Sequence, residues 1–128
     1  MSDQNVTASK SVMVVGNCLP DNFTMGRWFK KHFDADYLKA RNRVAAIEML
    51  RKHSIDLVLV NRIFDSDGGS GIDLIAELTR DFSATTTMLI SNFADAQTDA
   101  EAQGALPGFG KSELKNPASV DKVKHALG

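Results

Sequence analysis

Short apolar runs alternate with amphipathic stretches along almost the whole chain. The three clearest runs, residues 12–15, 55–60 and 87–90, are rich in β-branched side chains and barely alternate with polar ones. Strands of a parallel sheet that is covered by helices on both faces have this pattern. Residues 36–38 and 106–109 are weaker candidates, because Pro107 in particular suits a strand interior poorly. The pattern as a whole predicts five strands.

Apolar side chains that recur every three or four residues predict helices between these strands. Asp21 is placed to cap the first helix, and Asn116 followed by Pro117 predicts the start of the last one. Residues 94–103 are rich in alanine and polar side chains, which predicts an exposed fourth helix. The side chains expected to face the core are Met25, Trp28, Phe29 and Phe33; Val44, Ile47 and Leu50; Ile72, Ile75 and Leu78; and Val120, Val123 and Leu127.

Strands and helices that alternate over such short distances imply right-handed crossover connections. The predicted fold class is therefore α/β: a flavodoxin-like, doubly wound sheet of five parallel strands in a (βα)5 three-layer sandwich. Ligand sites in such sheets form at the carboxyl ends of the strands. The residues expected at that edge are Gly16, Asn17, Asn61, Ser91 and Lys111.

Composition sets limits on the class of protein. The 128 residues suit one domain, which we expect to span residues 11–128 after a disordered polar segment at residues 1–10. The formal net charge of −1 gives no reason to expect nucleic acid or a membrane surface as a partner. The single cysteine, Cys18, excludes an intramolecular disulfide. No run approaches the roughly 20 apolar residues of a membrane span, so we expect a cytoplasmic protein.

The strand-end residues resemble the site of the receiver domains of bacterial response regulators. In that family two acidic residues after the first strand help to hold Mg²⁺, and an aspartate after the third strand accepts a phosphoryl group. A serine or threonine follows the fourth strand and a lysine the fifth. The resemblance runs from about residue 11 to 127, and its matching segments are residues 14–17, 56–61, 70–75 and 104–111. It implies a chemotaxis-regulator-like receiver of two-component (phosphorelay) signalling.

The departures from the family pattern concern the chemistry. Gly16 and Asn17 occupy the positions of the acidic pair, and Asn61 occupies the phosphoacceptor position. An amide cannot act as the carboxylate nucleophile, and Mg²⁺ prefers carboxylate oxygens. Ser91 and Lys111 match the family's switch and phosphate-contact positions. We therefore expect a degenerate site with no catalytic residue, no metal and no cofactor.

Two further features distinguish the chain from the family. The loop after Asn61 is about two residues longer than usual, and Ser112 stands where the family often has a proline, so the usual cis peptide is not expected there. Lys111 is expected to reach across the strand ends toward Asn61. Simpler interpretations also stand: Ser91 caps the next helix, and Asn61 is a turn former.

The function that follows is that of a pseudo-receiver, a non-enzymatic signalling module that acts by protein–protein interaction. Its expected partner is another signalling protein or a second copy of the chain, bound through the fourth helix, fifth strand and fifth helix at residues 94–127. One alternative is a small-molecule or anion sensor that uses the strand-end crevice and Lys111. Another is a receiver that is still phosphorylated, on Asp65 or Asp67.

The segment from Asp65 to Ser70 also has a faint similarity to a calcium-binding loop. An EF-hand requires a glutamate at the twelfth position of its loop, and counting from Asp65 that position is Ala76. A solvated, flexible loop is the expected structure of this segment.

Overall fold

In the computed structural model, residues 10–128 are described, and five strands alternate with five α-helices along them. The strands are β1 (Lys10–Val15), β2 (Ala35–Ala40), β3 (Leu57–Asn61), β4 (Thr86–Ile90) and β5 (Leu106–Phe109). The helices are α1 (Leu19–His32), α2 (Arg43–Lys52), α3 (Gly71–Asp81), α4 (Ala94–Ala102) and α5 (Pro117–Leu127). The segment expected to be disordered lies outside the described residues except for Lys10, which opens β1.

The five strands form one parallel sheet in the order β2-β1-β3-β4-β5. Side chains of β1 alternate between the two faces. Val12 and Val14 pack in the core formed with α1 and α5, whereas Met13 and Val15 pack in the core formed with α2, α3 and α4. The predicted flavodoxin-like α/β sandwich of three layers is therefore confirmed.

The central strand β3 is buried along its whole length. None of its residues faces solvent, which explains why residues 57–60 are all apolar and do not alternate with polar ones. The strand begins at Leu57 and not at Ile55, because Asp56 bonds to the backbone of Ser11 through its own N–H and its carboxylate, both at 2.8 Å. The sequence predicts Asn61 directly after the third strand, whereas in the structure Asn61 is the last residue of β3.

The weak fifth strand exists, and its position at the edge of the sheet explains its composition. Pro107 lacks an N–H, and a proline is tolerated in an edge strand. The pairing of β4 with β5 is irregular between Met88 and Ile90. A Cβ on Gly108 would lie 2.1 Å from the carbonyl oxygen of Leu89, so this close approach of the backbones requires glycine.

The first residues of α1 and α2 differ from the sequence predictions, and the first residues of α5 agree with them. Cys18, not Asp21, is the N-cap of α1, and Asp21 lies in the first turn of that helix. Val44 is 62% exposed because it lies at the second position of α2, away from the core. Asn116 caps α5 as predicted, since its side-chain oxygen accepts the N–H of Ala118 at 2.9 Å.

Candidate functional site

The carboxyl ends of β1, β3 and β5 border a cleft of about 450 Å³. Three of the residues singled out from the sequence line it, namely Gly16, Asn61 and Lys111. Asp21 from α1 and Asp65 from the loop after β3 complete its polar lining. The cleft therefore holds two carboxylates, one amide and one ammonium group, and the carboxylates do not stand at the positions where receivers carry them.

Asn61 and Asn17 form a buried amide pair. Both are under 10% exposed, at 6% and 7%. The Nδ2 group of Asn61 donates to the carbonyl oxygen of Val15 at 3.1 Å and to Oδ1 of Asn17. Asn17 in turn donates through Nδ2 to the sulfur of Met25 at 3.3 Å. Buried polar groups normally have hydrogen-bond partners, and these contacts provide them. The pair therefore links the carboxyl ends of β1 and β3 without any charged group.

Phe64 covers the first of the two acidic-pair positions. Gly16 has a φ of +88°, a conformation that L side chains rarely adopt, and a Cβ there would lie 2.4 Å from Cδ1 of Phe64. The Phe64 side chain is 2% exposed. The volume into which an acid at position 16 would extend is thus filled by an aromatic ring. Sequence reasoning missed Phe64, whose only signal was an apolar residue inside a polar loop.

The loop that contains Phe64 is solvent-exposed at residues 65–68, as expected, and it also forms hydrogen bonds of its own. Phe64 N–H donates to the carbonyl of Gly69, and Gly68 N–H donates to the carbonyl of Phe64, both at 2.9 Å. Asp67 Oδ1 accepts the N–H of Gly69 at 2.9 Å. Ile63 and Ser70 form an antiparallel bridge at the base. The extra length of the loop therefore forms a small hairpin that holds Phe64 in place.

Gly71, which begins α3, allows this helix to start directly against β3. A Cβ at this position would lie 1.8 Å from the carbonyl oxygen of Asn61. The Gly71 N–H donates to the carbonyl of Arg62 at 2.8 Å. This contact gives a physical reason for the glycine that the sequence shares with receivers.

Lys111 does not reach Asn61; its ammonium group bonds to Oδ2 of Asp21 at 2.5 Å. The expected contact is wrong because a carboxylate lies within reach, and a charged acceptor binds an ammonium group more strongly than an amide oxygen does. The hydrogen bond from Lys111 lowers the pKa of Asp21 below its ordinary 3.8, against an opposing contribution from burial. Asp21 is therefore a site residue, and the sequence had indicated it only as a helix cap.

Ser91 follows β4 but does not line the cleft. Its Oγ accepts the N–H of Phe93, the N-cap of α4, at 3.1 Å. The simpler interpretation expected Ser91 to cap the next helix. In the structure Phe93 holds the N-cap position, and Ser91 bonds to the backbone of that residue. The N–H of Ser91 itself donates to the carbonyl of Phe109 at 3.1 Å, which ties β4 to the end of β5.

The described part of the chain was expected to hold no clustered metal ligands, no cis peptide bond after Lys111 and no membrane span, and the structure gives three observations on these points. Within residues 10–128 there is no group of three or more His, Cys, Asp or Glu side chains that could hold a metal ion. No peptide bond within these residues is cis, so the bond between Lys111 and Ser112 is trans. No helix among them is both long enough and apolar enough to cross a membrane.

The fold has many solved relatives. The signal receiver domain of an HD domain-containing protein from Pseudomonas fluorescens Pf-5 superposes with a TM-score of 0.80 at 17% identity, over 99% of this chain and 93% of that one. A response regulator from Thermotoga maritima superposes with a TM-score of 0.78 at 23% identity, over 94% and 98%. This chain has the receiver fold. The N-terminal signal receiver domain of a two-component response regulator from Bacteroides fragilis also superposes, with a TM-score of 0.75 at 18% identity, over 94% and 98%.

Similarity at the level of sequence is much weaker. No protein-family model matches the chain, and no curated protein matches it. Identities of 17–23% to the superposed receivers establish the fold and leave the chemistry to be argued from the residues themselves.

Proposed function

We propose that this chain is a receiver-like signalling module that works without aspartyl phosphorylation and acts by binding another protein. One observation carries the proposal: the side chain at the acceptor position is the buried amide of Asn61, bonded to Val15 and Asn17. The lone pair of an amide nitrogen is delocalised into its carbonyl group and does not attack phosphorus, and the amide oxygen is a poor nucleophile.

The surroundings of Asn61 supply none of the charge neutralisation that phosphoryl transfer requires. In such reactions a divalent cation and a basic side chain offset the charge on the phosphoryl oxygens. Here Gly16 and Asn17 provide no carboxylate for a cation, and Phe64 fills the adjoining space. Lys111, the basic group of the cleft, is held by Asp21. Each of these features supports a site that does not take a phosphoryl group.

Asp65 and Asp67 are weak substitutes as acceptors. Asp67 uses Oδ1 to accept the N–H of Gly69 within the loop hairpin. Asp65 lines the cleft, but among residues 10–128 it belongs to no acidic group that could hold a metal ion. Without a metal, neither carboxylate is set up to attack a small phosphodonor.

The surface formed by α4, β5 and α5 is suited to binding without a switch, since side chains from both helices hold β5. Gln97 of α4 accepts the N–H of Gly108 at 3.1 Å and donates to the carbonyls of Leu89 and Ser91 at 2.9 and 3.1 Å. Lys122 of α5 donates to the carbonyl of Gly108 at 2.9 Å. A surface fixed in this way supports recognition of a partner with little reorganisation.

The alternative of an anion sensor is less well supported. The cleft offers one cationic group, and the carboxylate of Asp21 neutralises it at 2.5 Å. An anion would have to displace that carboxylate, whose hydrogen bond with Lys111 is charge-assisted.

Incubation of the chain with acetyl phosphate and Mg²⁺, followed by intact-mass spectrometry, tests the proposal. We expect the wild type and the Asn61→Asp variant to remain at their unmodified masses, while an ordinary phosphorylatable receiver gains one phosphoryl group in parallel. A wild-type chain that gains a phosphoryl group would overturn the proposal, and fragmentation would then report whether Asp65 or Asp67 carries it.

A further inference from the structure

A groove of about 750 Å³ runs between α1 and the start of α5, on the side of the sheet opposite α4. Its floor is apolar and contains Trp28, Leu114 and Val120. The indole N–H of Trp28 donates to the carbonyl oxygen of Leu114 at 2.8 Å, so the floor is fixed and its polar group is satisfied. An apolar floor with satisfied polar atoms is suited to contact with another protein surface.

Cationic side chains stand on both walls of this groove. Arg27 and Lys31 are exposed and lie one helical turn apart on the α1 wall, and Lys115 stands on the opposite wall. Asp121 is the acid among the lining residues. Within residues 10–128 none of these three cations takes part in an ion pair. The groove therefore presents a rim with a net positive charge, since three cations face the single carboxylate of Asp121.

Helix α4 has the complementary character. It buries Ala96 and Ala100 and contains no basic residue. At 100° per residue, Asp95 and Asp99 fall on one flank of its exposed side and Glu101 falls on the other. In the described part of the chain, none of these acids is in an ion pair. The exposed ridge between the two flanks consists of small side chains: Ala94, Thr98 and Ala102.

The dimensions of the two surfaces also agree. The α1 wall of the groove extends from Thr24 to His32, and α4 extends from Ala94 to Ala102. Each is nine residues long, which at 1.5 Å per residue is about 13 Å. Arg27 and Lys31 have the same i, i+4 spacing as Asp95 and Asp99. A narrow ridge with acids on both flanks matches a groove with cations on both walls.

We propose that the α1–α5 groove of one copy of this chain binds helix α4 of a second copy. The inference rests on the proposed function, because α4 belongs to the surface assigned there to protein binding. The two surfaces differ, so the contact is head-to-tail and joins copies into a ring or an open chain, not into a two-fold dimer. Because ionic contacts dominate it, the association weakens when salt screens them.

Sedimentation velocity on the full chain at low and high salt tests the proposal, with two charge-reversal variants. One carries Asp99→Lys and Glu101→Lys on α4, where lysines near the helix C-terminus are also tolerated by the helix dipole. The other carries Arg27→Glu and Lys31→Glu in the groove. We expect the wild type to associate at low salt and to dissociate in about 0.5 M NaCl. Each variant alone should associate at least about tenfold more weakly.

An equimolar mixture of the two variants is the decisive sample. Lysines on one variant's α4 then face glutamates in the other variant's groove, and the second pair of surfaces is that of the wild type. Association of the mixture should return to within about threefold of the wild type. Two matched controls make the same charge changes at exposed positions of α2, α3 and β2 that do not line the groove or belong to α4: Glu48→Lys with Asp81→Lys, and Lys39→Glu with Arg51→Glu. Both controls should associate as the wild type does.

Three results would overturn the proposal: a wild type that stays monomeric at low salt and high concentration, association that survives either groove or α4 reversal, or a mixture that fails to recover. Urea denaturation of each variant shows that the fold is retained. The proposed function fails on a different readout, phosphoryl transfer seen by mass, so a monomeric chain that is not phosphorylated would contradict this inference alone.

Discussion

At the scale of single residues, the site is defined by amides and an aromatic ring where receivers carry acids. Asn61 donates to the side chain of Asn17 and to the carbonyl of Val15 at the end of β1, and neither asparagine is charged. Three clustered carboxylates would repel one another and raise one another's pKa. Amides at these positions do not repel one another, and we propose that Asn61 therefore stores no energy for a conformational switch.

Asn61→Asp should make the stability of the domain fall with rising pH. The new carboxyl would be buried beside the carbonyl of Val15 and the amide of Asn17, with Lys111 held by Asp21, so desolvation raises its pKa in the folded state. An acid whose folded pKa lies above its unfolded value of about 3.9 costs no stability below that value. It costs increasing stability as the pH rises from there through the folded pKa.

Urea denaturation at pH 4, 5.5 and 7 checks this prediction, with Asn61→Ala as the uncharged control. The difference in unfolding free energy between the two variants should grow toward pH 7. A constant difference across these pH values would mean that a cation reaches the new carboxylate, contrary to the Lys111–Asp21 pairing.

Gly16→Ala should lower the free energy of unfolding by about 2–4 kcal/mol, the sum of a backbone cost and a steric one. Gly68 is a matched control, because its φ is +73° and a Cβ there meets nothing within 4 Å. Gly68→Ala should cost about 1–2 kcal/mol from the backbone alone. Chemical denaturation of both variants measures the difference, which we attribute to the contact with Phe64. Equal losses of unfolding free energy in the two variants would show that the Phe64 side chain moves aside at no cost.

Lys111→Met should cost about 1 kcal/mol or less, because Lys111 and Asp21 are each about one-third exposed and solvent screens their attraction. The lowered pKa of Asp21 means that its pairing stabilises the fold above the ordinary pKa of 3.8 and that this benefit is lost as the pH falls through the lower folded pKa. Denaturation of wild type and variant at pH 7 and at successively lower pH checks this. A difference that widens toward acid would contradict the assignment.

The sequence predicted part of this site because order along parallel strands decides which strand ends meet. Gly16 and Asn61 were therefore expected together and are found lining one cleft. Asp21 and Phe64 were missed for a physical reason. One projects from the first turn of α1 and the other from a loop, and side-chain direction in such segments depends on turn geometry that no hydrophobic period encodes.

At the scale of elements, prediction succeeded where burial sets the pattern. Residues 12–15 of β1 and 57–60 of β3 are covered on both faces and are all apolar, which is why their sequences predict strands clearly. Boundaries were less accurate, since the bonds of Asp56 to Ser11 delay the start of β3 and Cys18 takes the capping position expected for Asp21. Each of these boundaries depends on the hydrogen bonds of one residue, and the spacing of apolar residues does not predict such bonds.

Gln97→Ala should weaken the junction of α4 with β4 and β5. The substitution removes a side chain that bonds to Leu89, Ser91 and Gly108, and it leaves those backbone groups without their partner. We expect a loss of about 1–3 kcal/mol and faster hydrogen exchange at the Gly108 amide. Thr98→Ala, the next residue along α4 and exposed, should cost well under 1 kcal/mol. An unchanged exchange rate at Gly108 would contradict this role of Gln97.

At the scale of the whole molecule, the receiver fold persists at 17–23% identity to the superposed receivers. In this chain the fold rests on buried strands, on apolar helix stripes and on glycines at close backbone contacts, and it forms without acids at positions 16, 17 and 61. At the strand ends where a phosphorylatable receiver has its acceptor and acidic pair, this sheet brings together the uncharged amide pair of Asn17 and Asn61. We therefore propose that the domain holds one conformation and that its partner binds this conformation without a prior switch.

The most direct test of that account is a pair of ¹H–¹⁵N correlation spectra of the wild-type chain, recorded with and without Mg²⁺ and beryllofluoride, an analogue of the phosphoryl group. The account predicts that the two spectra superimpose, at the amides of Asn61 and Lys111 and throughout α4, β5 and α5. Saturable shifts at Asn61 or Lys111 that extend to α4 and β5 would show that the site still binds the analogue and switches, and would contradict the central claim.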